Sequence, residues 1–286
     1  MAPDPAGSVT PWSDVLTFRS PDGPLGGHLR AVLYSQASHP VMIHKASTLI
    51  SADYPFYANE RLRQVLGAGV VPMFAQACGA DNNAPWATGF DVCQEAGARL
   101  GDAVAQAAAH ATRIDTSRPI HSETLVFDVP LRPLPDEAEL QAQIAEQEAL
   151  LARSEGEPII SAVDQPAVRR EQLRLLREGK APPPMPMEVQ VLAFGRQLAV
   201  VALSHEVFSG YQLAIDRLSP FEHTAVWAYC NMTENYLPTD AEHARGGYEV
   251  NGGPRYYPLR SGPQVGTERL ILSCVEKMLQ RAYVGA

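Results

Sequence analysis

The sequence predicts a mixed α/β fold, a β-sheet core flanked by helices with a helical hairpin on its surface. Three observations predict it. Short apolar runs of strand length recur along the chain, at residues 29–34, 70–74, 123–129, 188–194, 197–203 and 225–229. Longer stretches between and after them carry apolar residues at three- and four-residue steps, the mark of helices with one buried stripe. Residues 136–178 differ from both, being charged, Gln-rich and helical in pattern.

Taken in order, residues 14–35 read as two strands around Ser20-Pro21-Asp22-Gly23, where Asp-Gly is a strong turn signal. Residues 56–66 read as a helix that Gly67 and Gly69 stop, and Val70–Phe74 as a short buried strand feeding a polar loop at residues 79–85. Residues 89–110 form the clearest helix, with Cys93, Ala96, Leu100, Val104 and Ala107 on one stripe and many small residues suited to packing on a sheet. Glu123–Val129 is a strand that Pro130 and Pro133 end. Asp136 can cap the first helix of the hairpin, and a second helix follows Pro166. Either a solvated excursion or an interaction arm fits this segment. Residues 181–186, with four prolines, form a stiff internal connector. Strands on either side of Gly195-Arg196 form a hairpin, Ala225–Tyr229 is a further strand, residues 245–263 a long Gly-, Pro- and Tyr-rich loop, and residues 264–281 a closing amphipathic helix.

The 286 residues can bury a large single core, and one domain is expected throughout, with residues 136–187 as a helical and Pro-rich excursion. A formal charge of −9 offers no basic face for nucleic acid or polybasic attachment to anionic lipid. No apolar run is long enough to span a bilayer, and the Pro- and Asp-rich start lacks the basic and apolar regions of a secretory leader. Cys78, Cys93, Cys230 and Cys274 form no CxxC pair, so buried free thiols are expected rather than a zinc ribbon or redox motif.

Chemistry concentrates where apolar runs end. The run through Tyr34 delivers His39, halted by Pro40; the run through Leu203 delivers His205 and Glu206; Tyr236 and Tyr248 follow in Asn235-Tyr236-Leu237-Pro238-Thr239 and Gly247-Tyr248-Glu249. A strand-end imidazole is a good place for a metal or a general base, and zinc accepts imidazole and carboxylate donors. Each has an ordinary reading too. His39 can be a satisfied core or surface histidine, Glu206 can cap the segment after it, Tyr236 can sit at a core edge, and Asp53 can cap the helix that follows. Because neighbours on an extended chain point apart, His205 is not expected to share a ligand role with Glu206.

The order of these segments resembles the neutral/alkaline ceramidase family of zinc-dependent amidases, from about Asp14 to Leu259. Ser38-His39-Pro40 is similar to the segment supplying a zinc histidine. Gly79-Ala80-Asp81-Asn82-Asn83 resembles the amidase loop, Ser204-His205-Glu206 stands at the zinc glutamate, Tyr236 at the zinc tyrosine, and Tyr248 at a tyrosine facing the substrate amide. The resemblance implies Zn2+ held by His39, Glu206 and Tyr236, with Tyr248, Asp81 and Asn83 as catalytic residues. It implies hydrolysis of the N-acyl amide of ceramide or a related lipid to a sphingoid base and a fatty acid.

Two departures qualify the expectation. Asn83 stands where the family carries a serine, which disfavours a hydroxyl nucleophile and favours water activated by the metal. The family's upstream histidine segment has no counterpart in the chain, which therefore looks like the C-terminal portion of a catalytic domain. An upstream segment or second chain is expected to complete the shell, the chain alone is expected to show little activity, and an apolar patch is expected to be exposed. Of the nearby histidines, His44 is the first alternative for the vacant ligand position. A metal-dependent hydrolase of another amide or ester, and a catalytically inactive binding homologue, are the alternatives.

Overall fold

The structure is a computed structural model that describes residues 4, 6–21, 27–43, 47–84, 89–153, 165–252 and 261–285. Its first sheet has the order β1-β2-β3, with β1 (Val15–Arg19) antiparallel to β2 (Leu29–Gln36) and β2 parallel to β3 (Val71–Gln76). The Asp22-Gly23 turn lies outside the described residues. Parallel neighbours need a crossover, and α1 (Asp53–Leu66) supplies it. Val32 and Tyr34 on β2, Ala58 and Leu62 on α1, and Val104 and Ala108 on α2 (Phe90–Ala109) form the core beneath this sheet.

The small residues of α2 meet a helix as well as a sheet. A Cβ added at Gly97 would stand 2.5 Å from the Tyr54 carbonyl oxygen, and one at Gly101 would stand 2.8 Å from Arg61 Cβ. These two glycines let α2 lie against α1, and Arg61 Nε bonds Asp102 Oδ1 at 2.7 Å along the same seam. On the opposite face of the sheet, Phe18, Ala31 and Val71 share one register row and Leu16, Leu33 and Met73 the next. Phe18, Val71 and Met73 remain exposed there.

The second sheet runs β4-β5-β6-β8, from β4 (His121–Val129), β5 (Met185–Phe194), β6 (Leu198–Leu203) and β8 (His223–Trp227). The β5–β6 hairpin turns at Gly195, whose φ of 53° suits glycine. Alternation on β5 is strict: Met185, Met187, Val189, Val191 and Ala193 are all fully buried. They join the main core with Tyr211 and Ile215 of α5 (Ser209–Leu218) and Ile271, Val275 and Met278 of α7 (Thr267–Gly285). β6 and β8 are parallel, and α5 is their crossover.

The hairpin of residues 136–178 is α3 (Glu137–Arg153) against α4 (Gln165–Arg177), with residues 154–164 outside the described set. Asp136 Oδ1 accepts from Glu139 N at 2.8 Å, a side-chain cap on the first turn of α3. Arg177 reaches Glu137 at 2.6 Å, and Arg170 pairs with Glu148. No helix among the described residues is long and apolar enough to cross a membrane. All four cysteines are free thiols; Cys78 and Cys93 are buried, and burial pushes the Cys78 thiol well up.

Asp14, at the entry to β1, exchanges bonds with Ser35: its N–H donates to Ser35 Oγ at 3.0 Å, and Ser35 Oγ donates to its carboxylate at 3.1 Å. Burial, partly offset by the Ser35 bond, pushes the Asp14 pKa up to about 6 from 3.8. A carboxyl whose folded pKa is raised is protonated longer in the folded state, so stability falls as pH rises from 3.8 to about 6 and then levels off. Two pKa units correspond to about 3 kcal/mol. Asp14→Asn is expected to remove this slope and raise the neutral-pH melting temperature, measured by thermal unfolding between pH 4 and 8. An unchanged slope would sink the assignment.

Candidate active site at the carboxyl ends of the strands

β2, β6 and β8 each run into the same place. The two sheets meet there through an isolated bridge between Ala77 and Trp227 and through the bond from Ala228 N to Gln76 O at 3.0 Å. Carboxyl ends of parallel strands are where open α/β sheets commonly bind ligands.

His39 follows β2 on a tightly held loop. Its N–H donates to Asn82 O at 2.9 Å, and the Ser38 carbonyl before it accepts from Tyr54 Oη at 2.8 Å and Gln76 Nε2 at 3.2 Å. Its Nε2 lies 2.9 Å from the Ala80 carbonyl, a contact that requires a proton on Nε2 and leaves Nδ1 as the basic nitrogen. Asp53 opens α1 with φ 55°; its carboxylate accepts from Tyr54 N and also from Ile43 N at 2.9 Å, tying the loop after His39 to the helix.

Glu206 follows β6 and is 8% exposed. It begins β7 (Glu206–Val207), which pairs in parallel with β9 (Tyr236–Leu237) so that Glu206 stands opposite Tyr236. Glu206 Oε2 is 4.0 Å from His39 Nε2. The Tyr236 ring lies edge-on to the His39 ring at 6.4 Å, and the Tyr248 ring edge-on to Tyr236 at 6.0 Å. Tyr248 begins a π-helix, Tyr248–Gly252, inside the stretch the sequence leaves as a loop. His39, Glu206, Tyr236 and Tyr248 therefore share one locus.

Asp81 and Asn83 occupy the neighbouring loop. Asp81 Oδ1 accepts from Ser209 N and Oδ2 from Ser209 Oγ, both at 2.8 Å, which fastens the loop to the first turn of α5. Burial pushes the Asp81 carboxyl up, against the lowering effect of the Ser209 bonds. Asn83 is exposed two residues on. His205, adjacent to Glu206, is fully buried with φ 71°; its Nε2 meets Pro186 O at 2.7 Å and its Nδ1 accepts from Glu234 N at 3.0 Å. Its ring thus faces away from the Glu206 carboxylate, toward a backbone it braces. His44 lies outside the described residues.

One residue of the cluster is absent from the sequence reading. Tyr229 sits two residues beyond β8, and its hydroxyl lies 3.2 Å from Glu206 Oε2 and 3.5 Å from His39 Nδ1. In the sequence it closes the apolar run Ala225–Tyr229 and reads as a strand residue. The neighbouring Asn231, a residue that tolerates left-handed backbone, was the one signal that the strand stops earlier.

Among the described residues, no three His, Cys, Asp or Glu side chains are grouped to hold a metal. One imidazole and one carboxylate do converge, donor types that zinc accepts, with phenols beside them. Neither a family model nor a curated protein sequence matches the chain. Solved structures do. A neutral ceramidase from Pseudomonas aeruginosa matches over 96% of this chain and 47% of its own, with a TM-score of 0.63 at 19% identity. A ceramidase complexed with C2 matches over 97% of this chain and 50% of its own, with a TM-score of 0.62 at 17% identity. The chain spans about half the length of these ceramidase chains, and over that span it has a neutral ceramidase-like fold.

Proposed function

We propose that the chain is a zinc-dependent amidase component that hydrolyses the N-acyl amide of ceramide or a related lipid. The observation that carries this reading is the convergence of His39 Nδ1 and Glu206 Oε2, from separate strand ends, on the same point beside the Tyr229 hydroxyl, 3.5 and 3.2 Å from it, in a neutral ceramidase-like fold. His39 and Glu206 would hold the ion, with Tyr236 as a further oxygen donor. The remaining donor is proposed to come from outside the described residues, from an upstream segment or a second polypeptide. A zinc ion held there would polarise the amide carbonyl and make water a competent nucleophile near neutral pH.

The chain's own residues prepare that chemistry. The Ala80 carbonyl fixes the His39 ring through Nε2, the outer bond that orients a ligating histidine. Asp81 holds the loop in place through Ser209. Tyr248, packed against Tyr236, would donate its phenolic proton's hydrogen bond to the oxygen that gains charge as water adds to the amide carbon. The carbon–nitrogen bond would then break as a proton from the added water passes to the nitrogen, which leaves as the amine of the sphingoid base, with the acyl group and the water oxygen leaving as fatty acid.

The test is fatty-acid release from N-acylsphingosine by zinc-loaded protein, against His39→Ala as background. Zinc-dependent release above that background is expected when the remaining donor is supplied by an upstream segment or a second polypeptide, with little from the chain alone. Tight zinc binding without release would favour the second reading, an inactive binding homologue, which the amide of Asn83 in place of a serine hydroxyl supports. Neither zinc binding nor release would sink both readings.

A further inference from the structure

Tyr229 carries the strongest unassigned feature of the site. Its φ is 59°, in the left-handed region that a bulky residue rarely adopts. Such a conformation persists only where the surroundings impose it. Here Ala228 N bonds Gln76 O, Tyr229 N bonds His205 O, and Cys230 N bonds Leu203 O, each at 3.0 Å. Three successive amides are thus tied to two other segments, the end of β3 and the end of β6. The result is a phenol turned out of line with β8 and aimed between His39 and Glu206.

The distances have a chemical meaning. Tyr229 Oη lies 3.2 Å from Glu206 Oε2 and 3.5 Å from His39 Nδ1, the nitrogen left basic by the Ala80 bond. Metal–donor bonds of about 2.0–2.2 Å in a tetrahedral shell place neighbouring donors roughly 3.3–3.6 Å apart. The Tyr229 hydroxyl therefore stands at ligand spacing from His39 Nδ1 and within about 0.1 Å of that spacing from Glu206 Oε2, with its ring edge-on to the imidazole at 6.2 Å.

We propose that Tyr229 is a phenol donor to the divalent cation held by His39 and Glu206. This rests on the metal reading above and adds a ligand to it. It makes the donor face of this chain one nitrogen and two oxygens before Tyr236 is counted.

Zinc titration by calorimetry and Fe3+ loading test it together, because phenolate bound to Fe3+ gives a visible charge-transfer band. Tyr229→Phe keeps the ring and removes only the hydroxyl. It is expected to weaken zinc binding by about 100-fold or more, above the range of outer-shell partners, and to reduce the band per bound iron. 3-Fluorotyrosine at position 229 keeps the fold if Phe does not, and is expected to shift the band. Full iron loading without a tyrosinate band, or a band indifferent to both changes, overturns the assignment of Tyr229 while leaving the metal reading standing. Failure of the unaltered protein to bind either ion overturns both.

Discussion

Glu206→Gln is expected to weaken zinc binding by more than about 100-fold, beyond the range typical of outer-shell partners, and to abolish amide hydrolysis. The substitution is nearly isosteric. Glu206 sits at 8% exposure within a two-rung ladder, so the amide should occupy the carboxylate's place without moving β7 or β9. What is lost is the anionic oxygen that faces Tyr229 and His39. Calorimetric zinc titration and fatty-acid release, read beside an unchanged circular dichroism spectrum, check it. Retained zinc affinity would remove Glu206 from the metal shell, whatever happened to turnover.

Gly79→Ala should have the largest effect on folding of any single methyl added near the site. The new Cβ would stand 2.3 Å from the Ala37 carbonyl carbon, 2.5 Å from Ser38 N and 2.7 Å from Ala37 O. These are backbone atoms on the short path from β2 to His39, so no side chain can swing aside. One strand end has to move, and His39 moves with it. Overpacking of this kind costs about 3 kcal/mol, or roughly 6–12 °C of melting temperature for a chain of this size. Gly69→Ala is the control, since nothing lies within 4 Å of its added Cβ. Equal melting temperatures for the two variants would show that the Ala37–Ser38 segment yields freely and does not fix His39.

Much of this arrangement is legible in the sequence because it follows from periodicity. The alternation through Leu33 and the apolar run through Leu203 put His39 and Glu206 just past strand ends, and both are found there. The α3–α4 hairpin is legible for the same reason: its charge and Gln content mark an excursion. What escapes is what tertiary contact decides. Gly97 and Gly101 read as general small-residue packing, and only the structure shows that they admit α1. Asp81 reads as a loop acid, yet its partner Ser209 lies 128 residues away. Tyr229 is the plainest case. Local propensity extends the strand through it, whereas bonds to Gln76, Leu203 and His205 end β8 at Trp227 and reverse its φ.

The β7–β9 pair also bears on how the site opens and closes. Its two rungs, Glu206 against Tyr236 and Val207 against Leu237, are flanked by the bonds from Glu206 N to Asn235 O and from Phe208 N to Leu237 O. So short a ladder cannot fray from one end while the other persists. It is present whole or absent whole, and Glu206 and Tyr236 are lost or kept together. His39 hangs from a different sheet, on the far side of the Ala77–Trp227 bridge. In the language of amide exchange, the carboxylate and its facing phenol form one opening unit and the imidazole belongs to another. A ligand that touches all three would add to the link that Ala80 already makes, its N–H donating to Val207 O at 3.2 Å and its carbonyl holding His39 Nε2.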